Sequence, residues 1–298
     1  MKNKELFAKL KICGSMAVFG SIGIFVKYLT LPSGFLVFLR ALVGFLFLLP
    51  FVLIRRNDNS LSDIKSNLAP LIASGVCLGA NWVLLFEAYR YTDVSIATLC
   101  YYLAPVFIVL LSPIILRERL TLQKGAGVFL ALCGMVFVSG VFSGSERANI
   151  VGIILGVCAA VLYASVVFIN KKIKNISAYN KTAFQFGVSL AVTLPYSLLT
   201  EELDASMFDA RSIIFILILG IIHTGVAYVL YFSALRDVKA HTAAILSYVD
   251  PILALIFAAL ILKEIMSPWE LVGAILVLGG AFLSEIKFKN SKENKKEL

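Results

Sequence analysis

Apolar stretches of about 20 residues, separated by short charged segments, constrain the fold of this chain more than any other feature of its sequence. A helix that rises 1.5 Å per residue needs about this length to cross ~30 Å of hydrocarbon. Of the 298 residues, 60% are hydrophobic and 15% are charged. A soluble domain is about 45–50% apolar and about 25% charged. The sequence therefore predicts an all-α membrane protein whose solvent is the bilayer.

Charged and turn residues divide the chain into ten predicted transmembrane helices with short connectors. The predicted ranges are 9–28, 33–54, 68–89, 93–115, 121–142, 149–168, 181–199, 211–234, 240–262 and 268–286. The basic start of the chain is followed by an apolar run at 12–28 without a clear small-x-small cleavage site. We therefore expect a retained first helix and not a cleaved signal peptide.

The positions of lysine and arginine predict the orientation, because cytoplasmic connectors carry an excess of both residues. With the N-terminus inside, 21 of the 27 Lys and Arg residues fall in inner segments, 5 fall at outer ends, and Arg40 lies within a helix. We expect both termini, including a basic tail at 287–298, in the cytoplasm of a cell whose plasma or inner membrane holds the protein. The net charge of +9 resides in connectors and not in a basic domain, so nucleic acid is not an expected partner.

The chain also repeats itself. Residues of the third to fifth helices match identical residues 146 positions later, namely Ala88, Arg90, Ala97, Tyr102, Pro105, Leu116, Glu118, Gly127 and Gly134. Earlier helices match more weakly, for example Pro50 with Pro195 at an offset of 145. The units 1–142 and 149–286 hold five helices each, so the second must enter the membrane from the opposite face. Such inverted repeats are typical of secondary transporters, whose two halves surround a central cavity and open it to alternate faces.

Polar side chains inside the predicted helices are candidates for lining this cavity, because buried ionisable groups in membranes are usually functional. We interpret Arg40 either as a binding group for an anionic solute or as part of a structural ion pair with Glu87. Glu87, Asp250 and His223 are candidates for proton coupling, although Glu87 also lies near enough to the interface to reach water, and His223 fits a satisfied core histidine equally well. The remaining cavity candidates are amide and polar aromatic residues, namely Asn81, Trp82, Tyr101, Tyr102, Tyr163, Tyr228, Tyr231 and Tyr248.

Sequence motifs for other activities are missing. The chain has no HExxH, no P-loop and no GxSxG between a strand and a helix, and its five cysteines lack metal-ligand spacing. We therefore expect neither an enzyme nor a resident metal or cofactor. A membrane enzyme or a scaffold is the least favoured alternative, since the first needs convergent reactive groups and the second needs large exposed loops.

The ends of the two repeats, YYLAPVFIVLLSPIILRERLTLQKGAGVFLALCGMVFV and SYVDPILALIFAALILKEIMSPWELVGAILVLGGAFL, share a proline, a Leu-x-Glu and a glycine-rich helix. With an arginine in the second helix, this pattern resembles the EamA family of the drug/metabolite transporter superfamily over essentially the whole chain. The resemblance implies a basket-like bundle, a cavity lined mainly by helices 1, 3, 4, 6, 8 and 9, and export of metabolites, amino acids or toxic compounds.

We accordingly expect a secondary transporter of small metabolites, amino acids or related polar or amphipathic compounds, which exports them by alternating access. Its expected partners are the solute and membrane lipid, and it is expected as a monomer or homodimer. An uncoupled facilitator and an exchanger of the nucleotide-sugar or sugar-phosphate type remain alternatives.

Overall fold

A computed structural model describes residues 2–54, 61–92, 94–116, 122–138, 149–202, 204, 207–235, 237–238, 243, 246–247, 249–261, 263 and 267–285. Every regular element in these ranges is helical. Seven helices in the described part are long and apolar enough to cross a membrane, and Gly125–Gly134 and Leu271–Gly280 are shorter apolar helices. The chain is therefore a helical, multi-pass membrane protein, as its composition predicts.

The first half of the chain contains the helices α1 (Lys2–Gly20), α2 (Ile22–Lys27), α3 (Ser33–Ile54), α4 (Leu61–Ser66), α5 (Leu68–Tyr91), α6 (Val94–Tyr101), α7 (Ala104–Leu116) and α8 (Leu122–Val138). The second half contains α9 (Ile150–Lys172), α10 (Ala178–Thr200), α11 (Ala210–Ile218), a π-helical segment π1 (Leu219–Val226), α12 (Ala227–Ala234), α13 (Val249–Leu260) and α14 (Pro268–Glu285).

Local sequence explains where several helices begin and break. Asn149, Ser177 and Asp209 precede α9, α10 and α11, and the side chain of each accepts a hydrogen bond from a backbone N–H of the first turn. The predicted helix at 93–115 is divided into α6 and α7 by a turn at residues 102–103. Pro105 lacks the N–H that would bond the carbonyl of Tyr101, so the α-helical ladder is interrupted at this point.

The segment π1 interrupts the predicted helix at 211–234. Its wider turns are visible in side-chain hydrogen bonds that reach back five residues, since Thr224 Oγ1 donates to the carbonyl oxygen of Leu219 at 2.8 Å. His223 Nδ1 lies 3.3 Å from the carbonyl oxygen of Ile218 in the same pattern. A π-turn holds one more residue than an α-turn and is often found at functional sites.

The helices of the two halves pack against one another extensively. α5 packs against α9 and α10, α3 against α10 and π1, and α1 against α12 and α13. A separate and closely packed seam joins α8 to α14. The largest buried cluster of the described residues includes side chains of α1, α3, α5, α10 and α12, so both halves contribute to it.

Candidate functional site

Trp82 and Tyr228 form a hydrogen-bonded pair where α5 faces α12. Trp82 Nε1 donates to Tyr228 Oη at 2.8 Å, and the two rings meet edge to face with centroids 5.5 Å apart. Both side chains are buried, with 3% and 5% of their surface exposed. Phe186 of α10 contacts both rings. The pair thus places a satisfied indole N–H and a phenol oxygen next to a third aromatic ring, between three helices.

Arg40 of α3 lies beside this pair and is 2% exposed. Its Nε donates to Thr224 Oγ1 of π1 at 3.1 Å. The guanidinium carbon lies 4.9 Å from the ring centroid of Trp82 and 5.5 Å from that of Phe86, which are cation–π distances. In the described part of the chain, the guanidinium has no carboxylate within ion-pair distance. The structure therefore brings Arg40 together with Trp82 and Tyr228.

Glu87, which was considered as the partner of Arg40, lies near the C-terminal end of α5 and contacts other groups. Its carboxylate is 3.2 Å from Arg90 Nη1 and accepts a hydrogen bond from Tyr196 Oη at 3.0 Å. The nearby Glu201 carboxylate accepts the backbone N–H groups of Gly34 and Phe35, both at 2.9 Å. Glu87, Arg90, Tyr196 and Glu201 thus join the start of α3 to the C-terminal ends of α5 and α10. Glu87 follows Trp82 by five residues along α5, so this cluster is separate from the Trp82–Tyr228 pair.

Three tyrosines predicted to line a cavity form a contiguous group. Tyr101 and Tyr163 have ring centroids 5.6 Å apart, and Tyr163 stacks on Tyr231 at 6.5 Å. Tyr102 adjoins this group through Tyr101, with centroids 6.0 Å apart. These rings come from α6, α9 and α12 and the turn that follows α6, so both halves of the chain contribute to the group.

Asp250, in the first turn of α13, accepts a hydrogen bond from Tyr102 Oη at 3.0 Å. The acid thereby connects α13 to the turn between α6 and α7. Asp250 thus contacts the tyrosine group through Tyr102, whereas Arg40 lies beside the Trp82–Tyr228 pair.

His223 lies in π1 on the side of α1 and α2. Its Nε2 is 2.9 Å from Ser21 Oγ, at the break between these two helices, and its ring meets Phe25 edge to face at 5.1 Å. The side chain is buried and hydrogen-bonded at both ring nitrogens. His223 therefore connects the first helix to π1 and is a neighbour of the Arg40–Thr224 contact along the chain.

Asn81 ties α5 to α9, because its Nδ2 donates to the carbonyl oxygen of Ala159 at 2.6 Å. Its Oδ1 is buried and has no hydrogen-bond partner among the described residues. Tyr248, the last of the predicted cavity residues, lies outside the described residues. No group of three or more His, Cys, Asp or Glu residues suited to a metal occurs among the described residues.

A buried polar network that sequence reasoning missed lies between α5, α9 and α10. Gln185 Nε2 donates to Ser74 Oγ at 2.7 Å and to Asn170 Oδ1 at 3.1 Å, and Asn170 Nδ2 donates to Ser74 Oγ at 2.9 Å. Thr224, which contacts Arg40, was also missed. Each of these residues is uncharged, so none stands out in an apolar sequence. Their polarity alone was a signal, since polar side chains in membrane helices usually face protein.

The fold and these side chains define a multi-pass helical membrane protein in which buried polar and aromatic groups from both halves meet between the helices. The chain belongs to the EamA-like transporter family, which matches residues 6–140 and again residues 150–286.

Relatives that are similar over most of the chain are described as transporters. The transporter YxxF of Bacillus subtilis (strain 168), described as uncharacterized, is 30% identical over 94% of this chain and 90% of its own length. An uncharacterized transporter of Archaeoglobus fulgidus is 26% identical over 93% of this chain and 96% of its own. One solved crystal structure superposes with a TM-score of 0.73 over 93% of this chain and 96% of that chain at 19% identity, which shows a shared fold.

Proposed function

We propose that the protein is a secondary transporter that exports small metabolites, amino acids or related polar or amphipathic compounds, by alternating access. In this proposal ten helices span the cell membrane, both termini are cytoplasmic, and the second five helices repeat the first in inverted orientation. Membership of a transporter family supports transport in general. The argument for alternating access rests on the packing between the two halves.

Reciprocal contacts between the halves are the observation that carries the proposal. A β-carbon built on Gly134 would lie 2.7 Å from both the oxygen of Gly273 and the nitrogen of Val277. One built on Gly280 would lie 2.5 Å from the oxygen of Gly127 and 2.6 Å from the nitrogen of Ala131. Gly273, Val277 and Gly280 follow Gly127, Ala131 and Gly134 by 146 residues. The contact at Gly280 is therefore the contact at Gly134 with the two halves exchanged. A two-fold axis between two similar units produces this reciprocity.

The same exchange relates a second contact at an offset of 145. A β-carbon on Gly75 would meet Val188 and the backbone oxygen of Gln185, whereas one on Gly220 would meet Val43 and the backbone oxygen of Arg40. Farther along the same helices, Trp82 bonds its own counterpart Tyr228 at an offset of 146.

The change from 145 to 146 lies between Gly220 and Tyr228, where π1 inserts one extra residue. The π-helix therefore reconciles the two offsets within one repeat, and the Trp82–Tyr228 pair lies where the proposed axis passes between α5 and α12.

In this proposal the solute site lies around the Trp82–Tyr228 pair. Helices of both halves contribute the residues that we propose around the pair, namely Arg40, Asn81, Tyr101, Tyr163, Tyr231 and Asp250. Tyr102 and His223 contribute at the edges of the proposed site. A site on the axis between inverted halves can be exposed to either face by rocking one half against the other.

The test is solute flux in proteoliposomes of neutral lipid, with a panel of amino acids, organic acids and sugars and with empty liposomes as the control. We expect at least one solute of the panel to move faster through protein-containing vesicles. A protein that is folded and monodisperse but moves none of them, even in exchange, would contradict the proposal for that panel.

Coupling is tested in the same vesicles with an internal pH reporter. Asp250 is the candidate proton carrier favoured by position, because Glu87 is engaged with Arg90 and Tyr196 away from the pair. Robust flux without a solute-dependent pH change would favour an uncoupled facilitator, and retained flux in D250N would remove Asp250 from the mechanism.

A further inference from the structure

Arg40 is a buried cation whose charge is not matched by an acidic group in the described part of the chain. Its one hydrogen bond there runs from Nε to Thr224 Oγ1. A guanidinium carries further N–H groups on its two terminal nitrogens, and these have no protein acceptor in that part of the chain. An uncompensated buried charge is strongly unfavourable, particularly within a membrane. The site is therefore incomplete as a structural ion pair.

The neighbours of Arg40 hold the guanidinium in a defined position. Thr224 Oγ1 donates its own proton to the carbonyl oxygen of Leu219, so its lone pairs point to Arg40 Nε as acceptors. The ring of Trp82 lies against the guanidinium carbon at 4.9 Å. One edge of the guanidinium is thus bonded and one face is covered, while the donors on the terminal nitrogens keep the planar arrangement that binds carboxylate or phosphate oxygens.

The position that corresponds to Arg40 in the other half holds no cation. Gln185 is the counterpart of Arg40 at an offset of 145, and its amide nitrogen is engaged with Ser74 and Asn170. The repeat thus holds a charged residue at position 40 and an uncharged one at position 185, and π1 supplies Thr224, which positions Arg40. A structural role shared by both halves would not require a charge in one half only.

We propose that Arg40, positioned by Thr224 and Trp82, binds an anionic group of the transported solute, so that the protein selects carboxylates or phosphates over neutral compounds of the same shape. This inference rests on the proposed transport function. It adds the chemical class of the solute and the group that recognises it.

Trp82 provides a direct probe of the site. The protein has two tryptophans, and Trp269 is 46% exposed on α14. In a W269F background, Trp82 is the single tryptophan, and an anion at Arg40 would change its emission. We would titrate protein in phosphatidylcholine nanodiscs with succinate and inorganic phosphate, and with succinamide as the neutral analogue of succinate. We expect saturable changes with at least one of the two anions and none with succinamide.

Variants separate anion binding from fold. R40Q is expected to weaken anion binding about 10- to 100-fold, because it removes a charge-assisted hydrogen bond. R40K should retain part of the affinity, and T224V should weaken it less than R40Q does. The matched control is R211Q, since Arg211 also lies over two aromatic rings, at 4.8 Å from Tyr28 and 5.3 Å from Phe215, but is exposed. We expect R211Q to bind as the parent does.

Several results would overturn the proposal. These are equal responses to succinate and succinamide, no response to either anion, or equal affinity in R40Q and its parent. If R40Q does not fold, unchanged affinity in both R40K and T224V would also overturn it. A response to phosphatidylglycerol nanodiscs that anions cannot displace would assign the site to a lipid headgroup instead. Anion binding that depends on Arg40, without flux of any solute, would contradict the transport function and leave the anion site standing. Flux of neutral solutes alone would contradict the anion site and leave the transport function standing.

Discussion

Replacing Gly280 by alanine should destabilise the protein, because α8 and α14 approach each other closely at this residue. A β-carbon at position 280 would lie 2.5 Å from the oxygen of Gly127 and 2.6 Å from the nitrogen of Ala131. Both are backbone atoms, which cannot rotate away as a side chain can. The helices must therefore separate to admit one methyl group. Small residues at such seams permit the close packing that associates helices in a bilayer.

The adjacent Gly279 provides the matched control, since a β-carbon there would have no neighbour within 4 Å. Alanine in place of glycine within a helix stabilises it by about 0.5–1 kcal/mol, and this effect is common to both positions. Overpacking of a tight contact costs about 1–3 kcal/mol. We therefore expect G279A to be about 0.5–1 kcal/mol more stable than the parent, and G280A to be less stable than G279A by about 1–3 kcal/mol.

The assay is reversible unfolding in mixed micelles of dodecyl maltoside and SDS, followed by far-ultraviolet circular dichroism. G134A extends the test, because the contact of Gly134 with Gly273 and Val277 is the reciprocal of the Gly280 contact. We expect G134A and G280A to lose similar free energies of unfolding. Equal free energies of unfolding for G279A and G280A would refute the packing argument.

Three further predictions concern the Trp82–Tyr228 pair, the Glu201 carboxylate at the start of α3, and the orientation of the chain in the membrane. In a double-mutant cycle, W82F and Y228F should show a coupling of about 0.5–1.5 kcal/mol in unfolding free energy, and additive effects would contradict the 2.8 Å hydrogen bond. E201A should cost about 1–2 kcal/mol, because its carboxylate side chain is 2% exposed and caps the start of α3, whereas E202A on the exposed neighbour should change stability by less than about 0.5 kcal/mol. In a cysteine-free background, an impermeant maleimide should label E202C on intact cells and K174C only after permeabilisation; the reverse pattern would invert the proposed orientation.

Sequence alone predicts the helices well, because the bilayer imposes both their length and their apolar composition. The predicted range 33–54 coincides with α3, and the predicted ends of the helices at 68–89 and 268–286 are close to those of α5 and α14. The breaks are harder to foresee, because signals such as the Gly20–Ser21 pair and Pro105 are also compatible with a helix that continues. The π-helix left one trace in the sequence, the change of repeat offset between Pro195 and Ala234, although helix propensity does not locate it.

The candidate site was predicted in its residue types but not in its contacts. Trp82, Tyr228 and Arg40 were selected as polar or charged groups inside apolar helices, and the structure brings them together. The suggested Arg40–Glu87 ion pair does not form in the structure, because Glu87 faces Arg90 and Tyr196 at the end of α5. Which helix faces meet depends on tertiary packing, and the hydropathy pattern and motifs read along one sequence do not reveal it.

Solute counterflow in proteoliposomes tests the proposed alternating access most directly. Vesicles loaded with a high concentration of an unlabelled solute that the flux assay identifies are diluted into a trace of the labelled solute. Alternating access predicts that labelled solute accumulates transiently inside, above its outside concentration. The reason is that a carrier that has released label inside returns mostly with unlabelled solute. Label that only equilibrates, without an overshoot, would show a channel-like path and would contradict the proposal that two inverted halves expose one site to alternate faces.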